Sequence, residues 1–541
     1  MLALQGTAAS AGTAAGVFLY FRRGGPARQG RQAGTPESEL LRFQSALSQA
    51  DLQLQELCRE TLAQAGEECA QVFEIHRMML QDEDFLDAVK DAIRQKGAGA
   101  EQAVEEVSRT FSEAFLAMQS PYMQARSADV QDISLRLLRL LRGEEEPQLS
   151  LPFPVILGAQ DLCPSETIRL DKTKLLAIVT AEGSQNSHTA ILARTMGIPC
   201  VVCLGGVLSE ELDGRQAAVD GGEGMFWLEP TEEVRAHIQE KGMDLEARRR
   251  ELERWRGKPA QTKNGKKISL LANAGSIEDC RAAVENDAEG IGLFRTEFQY
   301  LGSAHRPSEE ELFSVYRAAV EAMQGRPVTF RTIDLGADKQ APWLPMEQEE
   351  NPALGLRAVR LCLADRELLR TQLRALYRAS ALGPVSIMAP MIASLWELQE
   401  VKREAQAARE GLRAQGVPMA EHVPLGIMVE TPAAALLSAE LAGEADFFSI
   451  GTNDLTQYTL AADRQNGRLG PFYDARHPAV LALLRMTLEN ARAAGIPAGI
   501  CGDLAGDLAM TGALLSMGIS SLSVPPGMVL PLRERVCTLT V

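Results

Sequence analysis

The sequence predicts an α/β multidomain protein: a small α/β domain with an inserted helical bundle, then a C-terminal (β/α)8 TIM barrel. Three observations predict it. Short apolar runs at the start of the chain and again after residue 150 flank a long stretch whose apolar residues recur every three or four positions. The second half alternates buried strand-like runs with helical patterns eight times over. At 541 residues the chain also exceeds what one hydrophobic core organises, so two to four domains are expected.

The first segment, MLALQGTAASAGTAAGVFLYFRR, has a signal-like apolar run, but its charges follow that run and Gly and Ser interrupt it. It reads as a strand–turn–strand piece of a folded domain, residues 1–35. From Glu37 to Leu141 stretches such as LLRFQSALSQADLQLQEL and VFEIHRMML carry helical spacing with short connections, a bundle assigned to residues 36–146 and ended by GEEEPQ. In residues 147–230, PFPVILGA, LLAIVTA, IPCVVCL and RQAAVDG are short buried strands. If the N-terminal strands join them, the bundle is an insertion. The charged run TEEVRAHIQEKGMDLEARRRELERWRG makes residues 231–260 a linker helix. Residues 261–541 hold ISLLANA, GIGLFRTE, PVTFRTID, PVSIMAPM, PLGIMVET, DFFSIGTND, PAGICGD and SSLSV, the eight strands of the barrel.

Composition narrows the function. A net charge of −17 argues against nucleic acid as a partner, because phosphate neutralisation needs a basic surface; a small anion needs only a local arginine cluster. No segment reaches the roughly 18 uninterrupted apolar residues of a membrane span. Nine scattered cysteines form no framework, which fits free thiols and a cytoplasmic protein. Cys200 and Cys203, in CVVC, read as buried thiols rather than a metal or redox pair.

Chemistry concentrates in two places. His188, in EGSQNSHTAILART, precedes a helical run. A helix N-terminus disfavours imidazolium and welcomes anions, which suits a phosphoryl-accepting imidazole; on this segment alone a plain polar helix start ranks first. In the barrel, five strands stay apolar until a chemical group at the C-terminal end: Arg295, Arg331 with Asp334, Glu430, Asn453 with Asp454, and Cys501 followed by Asp503. In a barrel these ends meet on one face. Independent solvation of five strand ends is the alternative. Glu430 and Asp454 suit a Mg²⁺ that keeps water or substrate oxygens, and Arg295 and Arg331 suit bidentate phosphate or carboxylate contacts, with Lys339 and Arg464 adding positive charge. Cys501 is either a proton donor or acceptor, or a structural thiol.

With these residues in place, the chain resembles enzyme I of the bacterial phosphoenolpyruvate:sugar phosphotransferase system along nearly its whole length. GIGLFRTEFQYL, RTIDLGADK, ENPALGLRAVR, GIMVETPAA, DFFSIGTNDLTQYTLAADRQN and CGDLAGD are similar to its phosphoenolpyruvate-binding barrel. SHTAILAR with DLCPSET resembles its swivelling phosphohistidine domain, and FEIHRMMLQDEDF with ARSADVQDISLRLL its inserted, HPr-binding helical domain. The resemblance implies that His188 attacks phosphoenolpyruvate through Nε2, releases pyruvate, and passes the phosphoryl group to the carrier protein HPr. It implies Mg²⁺ on Glu430 and Asp454; phosphate on Arg295, Arg331, Arg357 and Lys339; the carboxylate on Asn453 and Arg464; protonation of the enolpyruvate carbon by Cys501; and a hydrogen bond from Thr167 to the active imidazole. A cytoplasmic homodimer joined through the barrel is implied too. HPr would dock on Glu67, Glu68, Met78, Met79, Asp82, Glu83, Asp84 and Phe85, an acidic and apolar cluster that a solvated helix end explains equally well, with His76 a surface contact beside it.

Some positions depart from the family pattern. Ser184 stands where the family has glycine, Asn186 where it has a hydroxyl, Ala337 where it has glycine and Asp503 where glutamate is usual. The chain ends soon after the eighth strand, so the family's final helical segment is expected to be missing. Pyruvate phosphate dikinase and phosphoenolpyruvate synthase share the histidine and barrel, but residues 1–148 are too few for their nucleotide-binding domain. The rival of another class is a regulatory, low-activity paralogue that relays phosphate to an HPr-like partner.

Overall fold

The computed structural model describes residues 1–21, 34–65, 67–116, 121–144, 151–162, 166, 170–184, 187–301, 303, 305–336, 341, 343–344, 349–464 and 466–541. They form two units, Met1–Arg249 and Arg250–Val541.

In the first unit, strands β1 (Leu2–Gln5), β2 (Thr7–Ser10), β3 (Thr13–Tyr20), β4 (Val155–Ala159), β5 (Leu175–Thr180), β6 (Cys200–Val202), β7 (Gln216–Asp220) and β8 (Met225–Leu228) make one sheet in the order β1-β8-β7-β3-β4-β5-β6-β2. The β3-β4-β5-β6 centre is parallel; β7, β8 and β1 on one side and β2 on the other are antiparallel. β1 and β2 end opposite sides of this order yet are separated in sequence by Gly6 alone, so the sheet is rolled until its edges approach. Gly6 donates its N–H to Gly224 O at 2.9 Å, and a Cβ there would come within 2.5 Å of Val202 O. Only glycine fits that crossing.

Strand alternation builds two cores from this sheet. Ile156, Val179, Val201 and Phe226 pack on one face around the fully buried Phe18. Val155, Leu157, Ile178 and Val202 face the other way, where Ala190 and Ala193 cover them.

Between β3 and β4 run helices α1 (Pro36–Ala65), α2 (Glu67–Leu80), α3 (Glu83–Lys96), α4 (Ala100–Leu116) and α5 (Pro121–Arg142). Their core holds Phe43, Leu54, Leu57, Phe73, Val89, Ile93, Val104 and Leu137. Asp82 caps α3 by accepting from Phe85 N, and Gly97, in the left-handed region, ends it. Helices α6 (His188–Met196) and α7 (Glu232–Glu253) follow later in the chain; α7 buries only Ile238.

The second unit is a closed barrel of parallel strands β9 (Ser269–Ala274), β10 (Ile291–Phe294), β11 (Val328–Arg331), β12 (Val385–Ala389), β13 (Leu425–Val429), β14 (Phe448–Ile450), β15 (Ala498–Ile500) and β16 (Ser521–Val524). Closure is by β16 on β9, from Ser521↔Ser269 to Val524↔Ala272. Period-2 alternation again divides the side chains. Ile387, Ile427, Val429, Phe448 and Ile500 join the layer under the outer helices, whereas Leu293, Met388, Met428 and Cys501 pack together in a separate cluster. Glu430, two positions beyond Met428, and Arg331, whose Nη1 lies 3.8 Å from the Met428 sulfur, therefore emerge at the C-terminal mouth above an apolar floor.

The fold class expected from sequence holds. A helix, Val529–Thr538, follows the eighth strand and buries Val529, Leu532 and Val536.

Candidate active site

The barrel mouth is organised around two buried guanidiniums. Arg331, at the end of β11, donates from Nη2 to Glu297 Oε1 at 2.7 Å and lies 3.3 Å from Asp334 Oδ2. Arg357 grips Asp334 with Nε and Nη2, at 2.8 and 3.1 Å, and donates from Nη1 to the Tyr458 hydroxyl at 3.0 Å. Its other contacts, 3.4 and 3.5 Å, go to the Asp454 carboxylate. Burial opposes a charged guanidinium, but Glu297, Asp334 and Glu430 around Arg331, and Asp334, Asp454 and Glu430 around Arg357, hold both firmly protonated. The mouth is also strained: Ala358 and Met391 take φ values of 52° and 56°. Met391 thereby aims its N–H at Glu430 Oε1, 2.7 Å away.

Four buried carboxylates, Glu297, Asp334, Glu430 and Asp454, face these two buried guanidiniums. Burial first, and then the neighbouring Asp454, push the Glu430 carboxyl up to about 8, against the pull of Arg331 and Arg357. That surplus of buried negative charge fits a divalent cation between Glu430 and Asp454. No cluster of three or more His, Cys, Asp or Glu side chains suited to a metal occurs among the described residues. Two protein oxygens suit Mg²⁺, which keeps its other positions for water or substrate.

Cys501 lies on the mouth's floor, 3% exposed, its thiol donating to Ile450 O at 3.7 Å. Burial, opposed by a hydrogen bond with Ser449, pushes the thiol up to about 11, so it keeps its proton at neutral pH. Asn453 accepts the Asp503 N–H on its Oδ1 at 2.9 Å, which leaves the amide nitrogen as the group it can offer. Arg464 approaches Asp454 Oδ1 at 3.8 Å, and Arg295 is exposed at the end of β10, where its charge reaches Cys501. Thus Arg295, Arg331, Arg357, Glu430, Asp454, Arg464 and Cys501 come together, with Asn453 tied in through Asp503. Lys339, like Ala337, lies outside the described residues.

Sequence reasoning missed two buried groups. Glu297 anchors Arg331 and accepts Asp334 N–H at 3.2 Å. Gln372 accepts from Ile333 N at 2.9 Å and donates to Thr296 Oγ1 and the Tyr316 hydroxyl, both at 3.0 Å. Thr296 in turn donates to Arg331 O at 2.9 Å, so Gln372 steadies the strand end that carries Arg331. Gln372 sits within the apolar stripe Leu368, Leu369, Leu373, Leu376, and that placement was a readable signal.

In the first unit His188 is the first residue of α6, and Ser187 caps the helix by accepting from Ala190 N at 3.3 Å. Gly183 takes the positive φ, 108°, whereas Ser184 is not among the residues that do, so the serine carries no left-handed strain. Asn186 and Thr167 lie outside the described residues. Two sequence readings are corrected. Cys203 is exposed, not buried: the strand stops at Val202, and Cys203, at φ 61°, turns its thiol to Gly183 O at 2.9 Å. His76 is fully buried, its Nε2 3.2 Å from Asp129 Oδ1 and its Nδ1 3.8 Å from Asp132 Oδ2, because it shares the inward stripe of Phe73 and Leu80.

The acidic cluster on the bundle divides. Met78 is exposed and Met79 half-buried; Asp82 is a helix cap; Phe85 is a core residue stacked edge-on against Phe111 at 5.6 Å. Met79, Asp82 and Phe85 also line a cavity of about 90 Å³ with Phe111 and Ile133. The side chains of Glu67, Glu68 and Glu83 lie outside the described ones. No helix among the described residues is long and apolar enough to cross a membrane.

Three family models match: the PEP-binding domain of PEP-utilising enzymes over residues 249–541, their N-terminal domain over 5–126, and their mobile domain over 151–224. The chain is 38% identical to a phosphoenolpyruvate-protein phosphotransferase of Bacillus sp. (strain S) over 98% of its own length and 92% of the relative's. Identity is 39% to that of Staphylococcus carnosus, over 93% of this chain and 88% of the relative. For Bacillus subtilis it is 36%, over 100% and 95%.

Proposed function

The chain belongs to the phosphoenolpyruvate-protein phosphotransferase family, and from that premise we propose that His188 takes the phosphoryl group of phosphoenolpyruvate and passes it to a carrier protein of the HPr type. The protein is an enzyme, a transferase acting at the first step of sugar phosphotransferase uptake. The similarity of every domain to PEP-utilising enzymes favours this over a regulatory, low-activity relay.

One observation carries the residue assignment: two buried arginines, fixed by shared carboxylates, stand over a buried thiol that keeps its proton. Arg331 and Arg357, with Arg295 and Lys339, hold the phosphate, and Asn453 and Arg464 hold the carboxylate. Pre-set guanidiniums stabilise charge on the transferring group without reorganising. The His188 Nε2 lone pair attacks phosphorus. The bond from phosphorus to the enol oxygen breaks, its electrons stay on that oxygen, and the enolate becomes pyruvate as its terminal carbon takes the Cys501 proton. Glu430 and Asp454 would hold Mg²⁺, which when bound would supply further neutralisation of the phosphate. The start of α6, with unpaired N–H groups and a partial positive charge, suits a phosphorylated imidazole, and Thr167 steadies that ring. The phosphohistidine domain swivels between barrel and carrier. HPr docks on the helical bundle about exposed Met78 and the acidic residues Asp82 and Asp84, and the enzyme works in the cytoplasm as a homodimer joined through its barrel.

The test is incubation of wild type and His188→Ala with phosphoenolpyruvate and Mg²⁺, following pyruvate release and acid-labile phosphate. Labelling of wild type alone is expected. An unlabelled wild type at concentrations that favour dimers overturns the reading.

A further inference from the structure

At the opposite end of the barrel from the catalytic mouth, where β9 and β16 begin, lies a cavity of about 560 Å³. Lys258, Lys267, Arg326 and Arg533 line it, with two carboxylates, Asp287 and Glu289. The carboxylates do not balance the cations. Asp287 is committed to Arg533, which donates to its carboxylate and, at 2.6 Å, to its carbonyl, and it also accepts Gly257 N–H at 2.7 Å. Burial raises the Glu289 carboxyl above its ordinary range, which weakens it as a counter-charge. Arg326 is pinned by its Nη1 to Ala288 O at 2.6 Å, with no carboxylate in ion-pair distance among the described residues. Lys267 likewise has no ion pair there, and Lys258 lies over the Trp255 ring, 4.3 Å from its centroid.

Lys258, Lys267 and Arg326 thus line one cavity with no ion pair of their own among the described residues, in a chain whose net charge is −17; Asp287 acts on Arg326 at longer range but is shared with Arg533. The N-terminal face of such a barrel ordinarily serves stability, yet these cations support no ion pair of the fold. An anionic ligand gives them a partner. We propose that this cavity is an effector site for a small organic anion of at least two negative charges, a phosphate ester or polycarboxylate, held by Lys258, Lys267 and Arg326. The lysines act as point charges and Arg326 as a fixed donor. Bound there, the anion ties together the loop entering β9, the turns before β10 and β11, and the helix that ends the chain.

Trp255 reports on the site, since an anion that draws Lys258 away changes the environment of its ring. Intrinsic fluorescence of the full chain is titrated with fructose 1,6-bisphosphate, citrate and inorganic phosphate. A saturable change is expected with at least one organic probe, lost in Trp255→Phe and retained in Arg357→Met; calorimetric titration, which does not depend on the Lys258–Trp255 contact, reads an affinity weakened about 10-fold or more in Lys258→Ala/Lys267→Ala. The lysines are exposed, so the unliganded double variant keeps the wild-type melting temperature and turnover; Lys267→Glu alone, weakening binding in the same direction, checks the result in a second background. The tighter of bisphosphate and citrate identifies the ligand type. No saturable change with either organic probe, unchanged affinity in the lysine variants, or loss of the signal in Arg357→Met, which would put the anion in the catalytic mouth, overturns the proposal.

Discussion

Arg357→Met tests the charge architecture of the mouth most directly. The substitution keeps an unbranched side chain but removes a guanidinium that makes two hydrogen bonds to Asp334, one to Tyr458 and two longer contacts to Asp454. At an effective dielectric of 20, one charge pair at 4 Å is worth about 4 kcal/mol before desolvation. Removing one partner of a buried pair typically costs about 3–5 kcal/mol, because the other stays buried without it. The contacts that stay, Arg331 at 3.3 Å from Asp334 and Arg464 at 3.8 Å from Asp454, are longer than the 2.8 and 3.1 Å bonds that Arg357 makes to Asp334, so a loss within this range is expected. With an unfolding entropy near 2.1 cal/mol/K per residue, a barrel of this length then melts about 5–8 °C lower. If the guanidinium also holds substrate phosphate, kcat/KM for phosphoenolpyruvate falls by about 10²–10³. Differential scanning calorimetry follows the barrel transition and coupled pyruvate assays follow turnover. Arg357→Lys separates charge from shape: it keeps a cation but loses the fork, so it should recover part of the stability and little of the activity. Unchanged melting in Arg357→Met, or full activity in Arg357→Lys, would refute the argument.

Gln372→Leu should cost the barrel about 2–4 kcal/mol, since Ile333 N, Thr296 and Tyr316 each lose a buried partner; a melting temperature equal to wild type counts against that network. Among the thiols, exposed Cys203 should alkylate with iodoacetamide at neutral pH while Cys501 stays unmodified. The Cys501 thiol, pushed up to about 11, yields a thiolate only as pH rises towards that value, so peptide mass spectrometry showing equal rates would exclude a protonated Cys501. Gly221→Ala should destabilise the first unit, because its Cβ would fall 2.0 Å from Ser10 O and 2.9 Å from Cys200 N. Backbone atoms cannot rotate away, so a loss of about 1–3 kcal/mol, read as faster proteolysis of β1 to β8, is expected.

Much of the mouth was legible because strand period fixes direction. In LGIMVE, apolar Leu425, Ile427 and Val429 turn outward, so Met428 and Glu430 must turn inward. The same parity delivers Arg331 and Cys501. Helical parity was equally available for His76, three residues after Phe73 and four before Leu80, and reading its acidic neighbours instead of that stripe misplaced it on the surface. Glu297 left no such signal. It follows β10 in an irregular turn, where neither period applies, and its burial depends on Arg331 arriving from the next strand. Cys203 likewise depended on where β6 stops, a decision made by the turn beyond it.

The rolled sheet sets an order of events during synthesis. Leu2 pairs with Leu228 and Thr7 with Val202, so the first strands made are among the last to find their neighbours. The five helices between β3 and β4 draw mostly on local contacts and can condense while the ribosome is still making β5. β3 waits for β4, β2 for β6 and β1 for β8, so loop-closure entropy across more than half of this unit is met late, when β6 and β8 emerge. Synthesis that stalls before Met225 would therefore leave a folded bundle attached to open strand edges, a species for chaperones to hold rather than an enzyme half made.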